Sequence, residues 1–157
     1  MSLRFIIALV LSLVCFAVPA WADFQAGEEA YNRGDYAAAL REFRPVAKQG
    51  NAGAQYYLGV LYEIGRGVAQ DYAQARQWIE KAAAQGNAKA QEFLGTTYFK
   101  GHGVPQNFVQ AHMWYNLAAA NGGNKGAELR DDLAKRMTPA QIAEAHKLAR
   151  EWKPIGK

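Results

Sequence analysis

The chain has 157 residues, of which half are hydrophobic and 20% are charged. This length suits one compact domain or one short repeat array, and the composition allows a packed core and excludes wholesale disorder. The formal net charge is only +4, and basic residues alternate with acidic ones instead of forming a basic stripe. The charge pattern therefore argues against a nucleic-acid-binding surface and is typical of a mixed, solvated surface.

Residues 1–22 have the anatomy of a secretory signal peptide. A short, positively charged start precedes an almost wholly apolar run over residues 5–18, and Ala20 and Ala22 place small residues before a cut after Ala22. The apolar run is short for a bilayer span, which requires about 20 residues, so an uncleaved anchor is the weaker interpretation. We therefore predict a mature chain that begins at Asp23, is periplasmic or secreted and has no stable membrane insertion.

The mature chain carries neither of the two commonest nucleophiles. Cys15 is the only cysteine and lies inside the apolar run, after Val14, whereas bacterial lipoprotein signals have a small residue at that place. Serine is absent after Ser12. After cleavage the chain has no disulfide, no cysteine ligand for zinc and no serine or cysteine nucleophile.

Residues 23–50 predict a helix pair joined by a short turn at Gly34-Asp35-Tyr36. Apolar residues recur at helical spacing on both sides of that turn, namely Ala26, Ala30, Tyr31, Ala39, Leu40 and Phe43. The pair resembles an ordinary tetratricopeptide unit. Glu42 stands where the units that follow have a tryptophan.

Two gapless copies of a 36-residue unit follow. Residues 50–85 align with 86–121, and 18 of the 36 positions are identical, against a chance expectation of about two. The skeleton that returns 36 positions later includes Ala54, Gln55, Leu58, Gly59, Tyr62, Gly65, Gly67, Val68, Gln70, Ala75, Trp78 and Ala82. We place the two repeats at 51–86 and 87–122.

Each copy predicts two antiparallel helices. In the first copy, the apolar face of the first helix consists of Ala54, Leu58 and Tyr62, and that of the second consists of Tyr72, Ala75, Trp78 and Ala82. Gly59 costs helix stability, so we expect it to let the partner helix approach closely, with Trp78 or a neighbour over the gap. Gly65 and Gly67 are expected to supply positive φ at the helix end and in the turn.

The repeated pattern is Ala-x-Ala-Gln-x-x-Leu-Gly-x-x-Tyr-x-x-Gly-x-Gly-Val, followed by a helix that ends Trp-x-x-x-Ala-Ala. Over residues 52–121 it closely resembles the Sel1-like repeat family, which is related to the tetratricopeptide repeat. The resemblance implies an all-α fold, an α/α superhelical solenoid of antiparallel helix pairs. It also implies an adaptor in protein assembly, and many bacterial members are exported.

Residues 123–157 predict capping helices. Leu129, Leu133 and Met137 form a narrow apolar stripe. The run Thr138-Pro139-Ala140-Gln141 is a helix start, with a capping threonine, proline in the first turn and glutamine at the capping-box position. The apolar face of the last helix consists of Ile142, Ala145, Ala149 and Trp152.

The side chains that could carry chemistry are few. His102 lies in a glycine turn, His112 replaces Arg76 of the other copy, and His146 is expected to face outward. None of the histidines has a metal-ligand partner at the right spacing on one helix face, so we predict no metal, no cofactor and no catalytic residue. Trp78 and Trp114 could stack on a sugar, but their equivalent places on apolar helix faces favour core packing.

The first-helix positions that the core does not use predict a concave binding groove. They are Tyr56, Val60, Glu63 and Ile64 in one copy and Glu92, Thr96, Phe99 and Lys100 in the next. They differ between copies while the skeleton repeats, as expected if stacking sets the core and a ligand sets the groove. Drift of unconstrained surface positions would give the same pattern.

These observations are compatible with two functions. The first is an exported scaffold in the cell envelope that binds a protein or peptide segment in its groove, with the partner unidentified. The alternative is an envelope hydrolase or binder that acts on peptidoglycan or a β-lactam. The missing nucleophiles and the absence of paired acid–base residues count against the alternative.

Overall fold

The structure, a computed structural model, describes residues 20–154. In that range the chain forms eight α-helices and no strand: α1 (Ala20–Asn32), α2 (Tyr36–Lys48), α3 (Ala52–Ile64), α4 (Tyr72–Ala84), α5 (Ala88–Lys100), α6 (Phe108–Ala120), α7 (Gly126–Ala134) and α8 (Pro139–Glu151). None of these helices is both long and apolar enough to cross a membrane. The predicted all-α solenoid of helix pairs is confirmed. Most of the predicted signal peptide, with Cys15, lies outside the described residues.

Asparagine and aspartate side chains fix where the helices begin. The side chain of Asn51 accepts a hydrogen bond from the Ala54 backbone N–H, and Asn87 does the same 36 residues later with Ala90. Asp35, Asp71 and Asn107 cap α2, α4 and α6 in the same way. These bonds satisfy backbone donors that a helix end leaves free, so the repeated caps keep the units in register. The predicted capping box of Thr138 and Gln141 is confirmed at the start of α8.

The two helices of each repeat touch at a glycine. A Cβ atom at Gly59 would lie 2.5 Å from Cγ1 of Ile79, and one at Gly95 would collide with the Tyr115 ring. The expected close approach is therefore present, and the side chain over the gap is the neighbour of Trp78. Gly65 and Gly101 end α3 and α5 with φ of 64° and 71°, the left-handed conformation predicted for them.

Three clusters of buried side chains follow one another along the solenoid. The first joins α1, α2 and α3 around Phe43, Leu58 and Leu61; the second joins α4 and α5 around Ile79 and Leu94. The third is built from Ala111, Tyr115, Leu133, Met137 and Ala145, and so includes both C-terminal helices. Each cluster lies between neighbouring elements, because a single helix pair cannot bury its own apolar face.

A buried glutamine repeats at each joint between units. The Gln55 side chain donates to the Ala47 carbonyl at 3.1 Å and accepts from Gln85 at 2.8 Å. Gln91 makes the corresponding bonds, to the Ala83 carbonyl at 3.1 Å and from Asn121 at 3.0 Å. Since both glutamines are almost fully buried, these bonds satisfy their amides and tie three successive helices together.

The predicted helix faces need two corrections, at Tyr72 and Ala26, whereas the predicted packing of Trp78 and Trp114 against the core is present. Tyr72, assigned to the apolar face of α4, is its first residue and is 53% exposed; the buried side chains of α4 are Ala75, Ile79, Ala82 and Ala83. Ala26 is exposed on α1. Trp78 and Trp114 are only partly buried, and each packs back against the cluster of the preceding unit. Each indole ring contacts the preceding unit and leaves one edge in contact with water.

Candidate binding groove

The first helices of successive units line a continuous concave surface, which we call the groove. It consists of three depressions: an N-terminal one of about 510 Å³ between α1, α3 and α5, a central one of about 410 Å³, and a C-terminal one of about 450 Å³ between α5 and α7. The N-terminal and central depressions share Tyr56, Lys89, Glu92 and Lys125. The central and C-terminal ones share Thr96, Lys100 and Leu129, so the groove is unbroken.

The structure brings together six of the eight residues predicted for the groove. The central depression is lined by Tyr56, Glu63, Glu92, Thr96 and Lys100, and Phe99 lines the C-terminal one. Val60 and Ile64 line none of the three depressions. Ile64 is instead a 43% exposed side chain at the last position of α3.

A rigid aromatic floor underlies the N-terminal depression. Tyr57 stacks on Phe43 with ring centroids 4.8 Å apart and an interplanar angle of 3°. Its hydroxyl donates to Glu28 Oε1 at 3.0 Å. Burial, together with this bond to Glu28, raises the pKa of Tyr57 to about 12. The phenol therefore stays protonated and keeps Glu28 in place as a hydrogen-bonded carboxylate.

Hydrogen bonds hold several side chains of the central depression in place. Glu92 accepts from the Lys125 backbone N–H at 2.9 Å, which joins α5 to the segment before α7. The hydroxyls of Thr96 and Tyr115 lie 3.2 Å apart. Burial raises the pKa of both Tyr56 and Glu63, because a half-buried group loses part of the hydration that its charged form requires.

The C-terminal depression has an apolar floor and a cationic rim. Phe99 stacks on Phe108 with centroids 5.8 Å apart and packs against the third core cluster. The Arg136 guanidinium carbon lies 5.7 Å from the centre of the Phe99 ring. Phe99 was predicted as a residue that the core does not require; it has a place in both the groove and the core.

Several groove residues were missed from the sequence. They are Lys89, Phe93, Lys125, Leu129, Lys135 and Arg136. Four of these follow residue 122, where the repeat pattern has decayed, so no copy could be aligned to assign them a face. Only the packing of α7 against α6 brings them to the groove.

Two of the three histidines, His112 and His146, lie close together. His112 is buried, with 2% of its surface exposed, and its ring centre lies 5.2 Å from that of His146. Burial, together with His146 and Arg130, lowers the pKa of His112 to about 4. His146 and His102 are exposed. Between residues 20 and 154 no group of three or more His, Cys, Asp or Glu side chains is arranged to hold a metal ion.

Comparison with known proteins agrees with this architecture. A sequence model of the family described as Sel1 repeat matches residues 52–87 and 88–123. A solved structure of a Sel1 repeat protein from Oxalobacter formigenes is 36% identical and superposes with a TM-score of 0.64, over 73% of this chain and 89% of that one.

A second solved structure is a protective antigen of uropathogenic Escherichia coli strains that displays an SLR fold. It is 34% identical, with a TM-score of 0.79 over 85% of this chain. The chain spans only 29% of the length of that antigen. Curated proteins gave no match. The chain therefore belongs to the Sel1 repeat family, as shown by the two matched repeats, by the fold and by the similarity over most of the Oxalobacter protein.

Proposed function

We propose that the chain is an exported scaffold that binds a protein or peptide segment in its groove. Sel1 repeat proteins are typically scaffolds for protein–protein interaction and are generally non-catalytic. One observation carries the groove assignment: within the first helices, most positions that are identical in the two copies are buried, whereas most of those that differ line the groove. Leu58 and Leu94 illustrate the first group, and Tyr56 and Glu92 the second.

The groove supports binding because its walls are already fixed. Tyr57 is held by Phe43 and Glu28, and Thr96 by Tyr115, so these side chains lose little freedom when a segment docks. Aromatic groups at a concave surface also supply much of the binding energy at interfaces. An extended segment that lies along the groove would place side chains in successive depressions.

Site-specific photo-cross-linking in the native cell tests the groove. A photoreactive phenylalanine analogue at Tyr56 is expected to give discrete protein adducts, and mass spectrometry then identifies the cross-linked segment. The same analogue at Gln77, an exposed position of α4 that lines no part of the groove, is the matched control. Adducts that form from Gln77 and not from Tyr56 would place the binding surface on the opposite face.

A pair of truncations then separates binding from folding. With the identified partner, Tyr56→Ala is expected to weaken binding by about 1–2 kcal/mol. Leu58→Ala, two positions away and buried, should instead lower the free energy of unfolding by about 2–5 kcal/mol. Affinity and thermal midpoint are measured for both variants. If the two variants lose stability equally, Tyr56 is a core residue and the groove assignment is wrong.

Export is the second part of the proposal. It rests on the apolar run and on the small residues at 20 and 22. Intact-mass analysis of protein from the native cell is expected to show a chain that starts at Asp23, in the extracytoplasmic fraction. Full-length protein in the cytosol would refute export without affecting the groove.

A further inference from the structure

We propose that the C-terminal half of the groove binds an acidic segment carrying a large apolar side chain. The half in question comprises the central and C-terminal depressions. The inference rests on the proposed function, because it assigns a chemical class to the segment that the groove would hold.

The charge of this surface is unbalanced. The two depressions are lined by five cationic side chains, Lys89, Lys100, Lys125, Lys135 and Arg136, and by three carboxylates, Glu63, Glu92 and Asp132. Two of the carboxylates are already engaged: Asp132 pairs with Lys135 at 2.6 Å, and Glu92 accepts the Lys125 backbone N–H at 2.9 Å. Because a hydrogen bond from a backbone N–H leaves the charge of Glu92 in place, Glu63 and Glu92 remain to balance four cationic side chains, Lys89, Lys100, Lys125 and Arg136.

Apart from Lys135, the cationic side chains that line these two depressions form no ion pair with any residue between 20 and 154. Among residues 20–154, neither Lys100 nor Arg136 forms an ion pair, and both side chains are exposed. Arg136 lies over the Phe99 ring, which orients its guanidinium at the edge of the C-terminal depression. An ordered, unpaired guanidinium suits a planar carboxylate, to which it can donate two parallel hydrogen bonds.

The floor beneath these cations is apolar. Phe99, Leu129 and Leu133 line the C-terminal depression, which has a volume of about 450 Å³. That space holds one large aliphatic or aromatic side chain. Carboxylates next to such a group would meet Lys100 and Arg136, which line the same depression, so we expect the surface to bind a segment that carries both the apolar group and the acidic groups.

Selection from a library of random displayed dodecapeptides tests the proposal with the purified protein. Enriched peptides are expected to be acidic relative to the input library and to carry an aromatic or large aliphatic residue next to an acidic one. The affinity of a fluorescent copy of the most enriched peptide is then compared with that of its amide counterpart, in which every Asp is replaced by Asn and every Glu by Gln. The acidic form should bind about tenfold more tightly at low salt, and high salt should narrow that difference.

Charge reversal locates the site. The K100E/R136E substitution should weaken binding of the acidic peptide about tenfold or more, and K100Q/R136Q should weaken it by a smaller factor. K147E/R150E changes the net charge equally but lies on exposed positions of α8 outside the groove, and it should leave the affinity unchanged. The thermal midpoint is measured for each variant. If K100E/R136E does not fold, the affinity of K100Q/R136Q for the peptide provides the test.

The outcomes separate the two proposals. If the enriched peptides are neutral or basic and bind less tightly to the Tyr56→Ala variant, the proposal of an acidic segment is wrong and the groove remains the binding site. Enriched peptides that are insensitive to Tyr56→Ala and to both charge variants would overturn the groove itself. Self-association that K100E/R136E abolishes would assign this surface to a second copy of the chain and overturn the peptide proposal.

Discussion

At the scale of single residues, His112 makes stability depend on pH. Its Nδ1 atom is buried and has no hydrogen-bond partner among residues 20–154. The pKa of His112 falls from the ordinary 6.5 to about 4 on folding, mainly because burial disfavours the charged form. The unfolded chain therefore binds the proton more tightly. The stabilising contribution of the neutral ring is complete above pH 6.5 and is lost as the pH falls toward 4.

We predict that the folded protein loses roughly 1–3 kcal/mol of unfolding free energy through His112 between pH 7 and pH 4. His112→Leu removes the titrating group and the unpartnered nitrogen, so it should flatten this dependence and change stability little at pH 7. Denaturant unfolding at several pH values measures both quantities. His102→Gln, at an exposed position that does not contribute to the shift of His112, is the control. If His112→Leu keeps the wild-type acid sensitivity, the sensitivity arises elsewhere.

Gly59 shows the cost of close helix contact. A methyl group there would lie 2.5 Å from Cγ1 and 2.6 Å from Cδ1 of Ile79. Gly59→Ala gains about 1 kcal/mol of helix propensity, but we predict a net loss of about 1–3 kcal/mol because α4 must move away. In the double mutant with Ile79→Ala, the loss should be smaller than the sum of the single losses. Additive losses, measured by chemical unfolding, would show that the two side chains do not collide.

At the scale of helices, the buried glutamines hold neighbouring units together. Gln91 is fully buried and bonds to both Ala83 and Asn121. We predict that Gln91→Leu lowers the free energy of unfolding by about 1–3 kcal/mol, because it leaves the Asn121 amide without this partner and breaks a link between α4 and α5. Gln77→Leu, on the exposed face of α4, should stay within about 0.5 kcal/mol of wild type. Equal effects of the two substitutions would contradict a structural role for the buried amide.

At the scale of the whole molecule, α8 ends the solenoid. The third cluster contains Leu133, Met137 and Ala145, so removal of α8 would expose apolar surface at the end of the stack. We predict that truncation after Met137 lowers the thermal midpoint by roughly 10 °C or more and promotes self-association. Circular dichroism and sedimentation measure the two effects. Removal of residues 153–157 alone should change neither, and a truncated protein that stays monomeric and equally stable would contradict the capping role.

The sequence by itself determined the architecture. The 36-residue period, with apolar residues at helical spacing, predicts repeated pairs of antiparallel helices, and the resemblance of the repeated pattern to the Sel1-like family implies that the pairs stack into a solenoid. The αL glycines and the capping box at Thr138 follow from local chemistry, which acts within a few residues. Such signals are readable without knowledge of what packs against them.

Which side chains line the groove was decided only by the tertiary structure. Leu129 and Arg136 belong to a segment without repeat register, and their place depends on how α7 packs against α6. Phe99 turned out to serve core and groove together, and His112 became buried where Arg76 of the other copy stays exposed. Periodicity assigns a residue to a face of its own helix. Whether that face meets water, a core or a groove depends on the neighbouring units, which differ at the two ends of the stack.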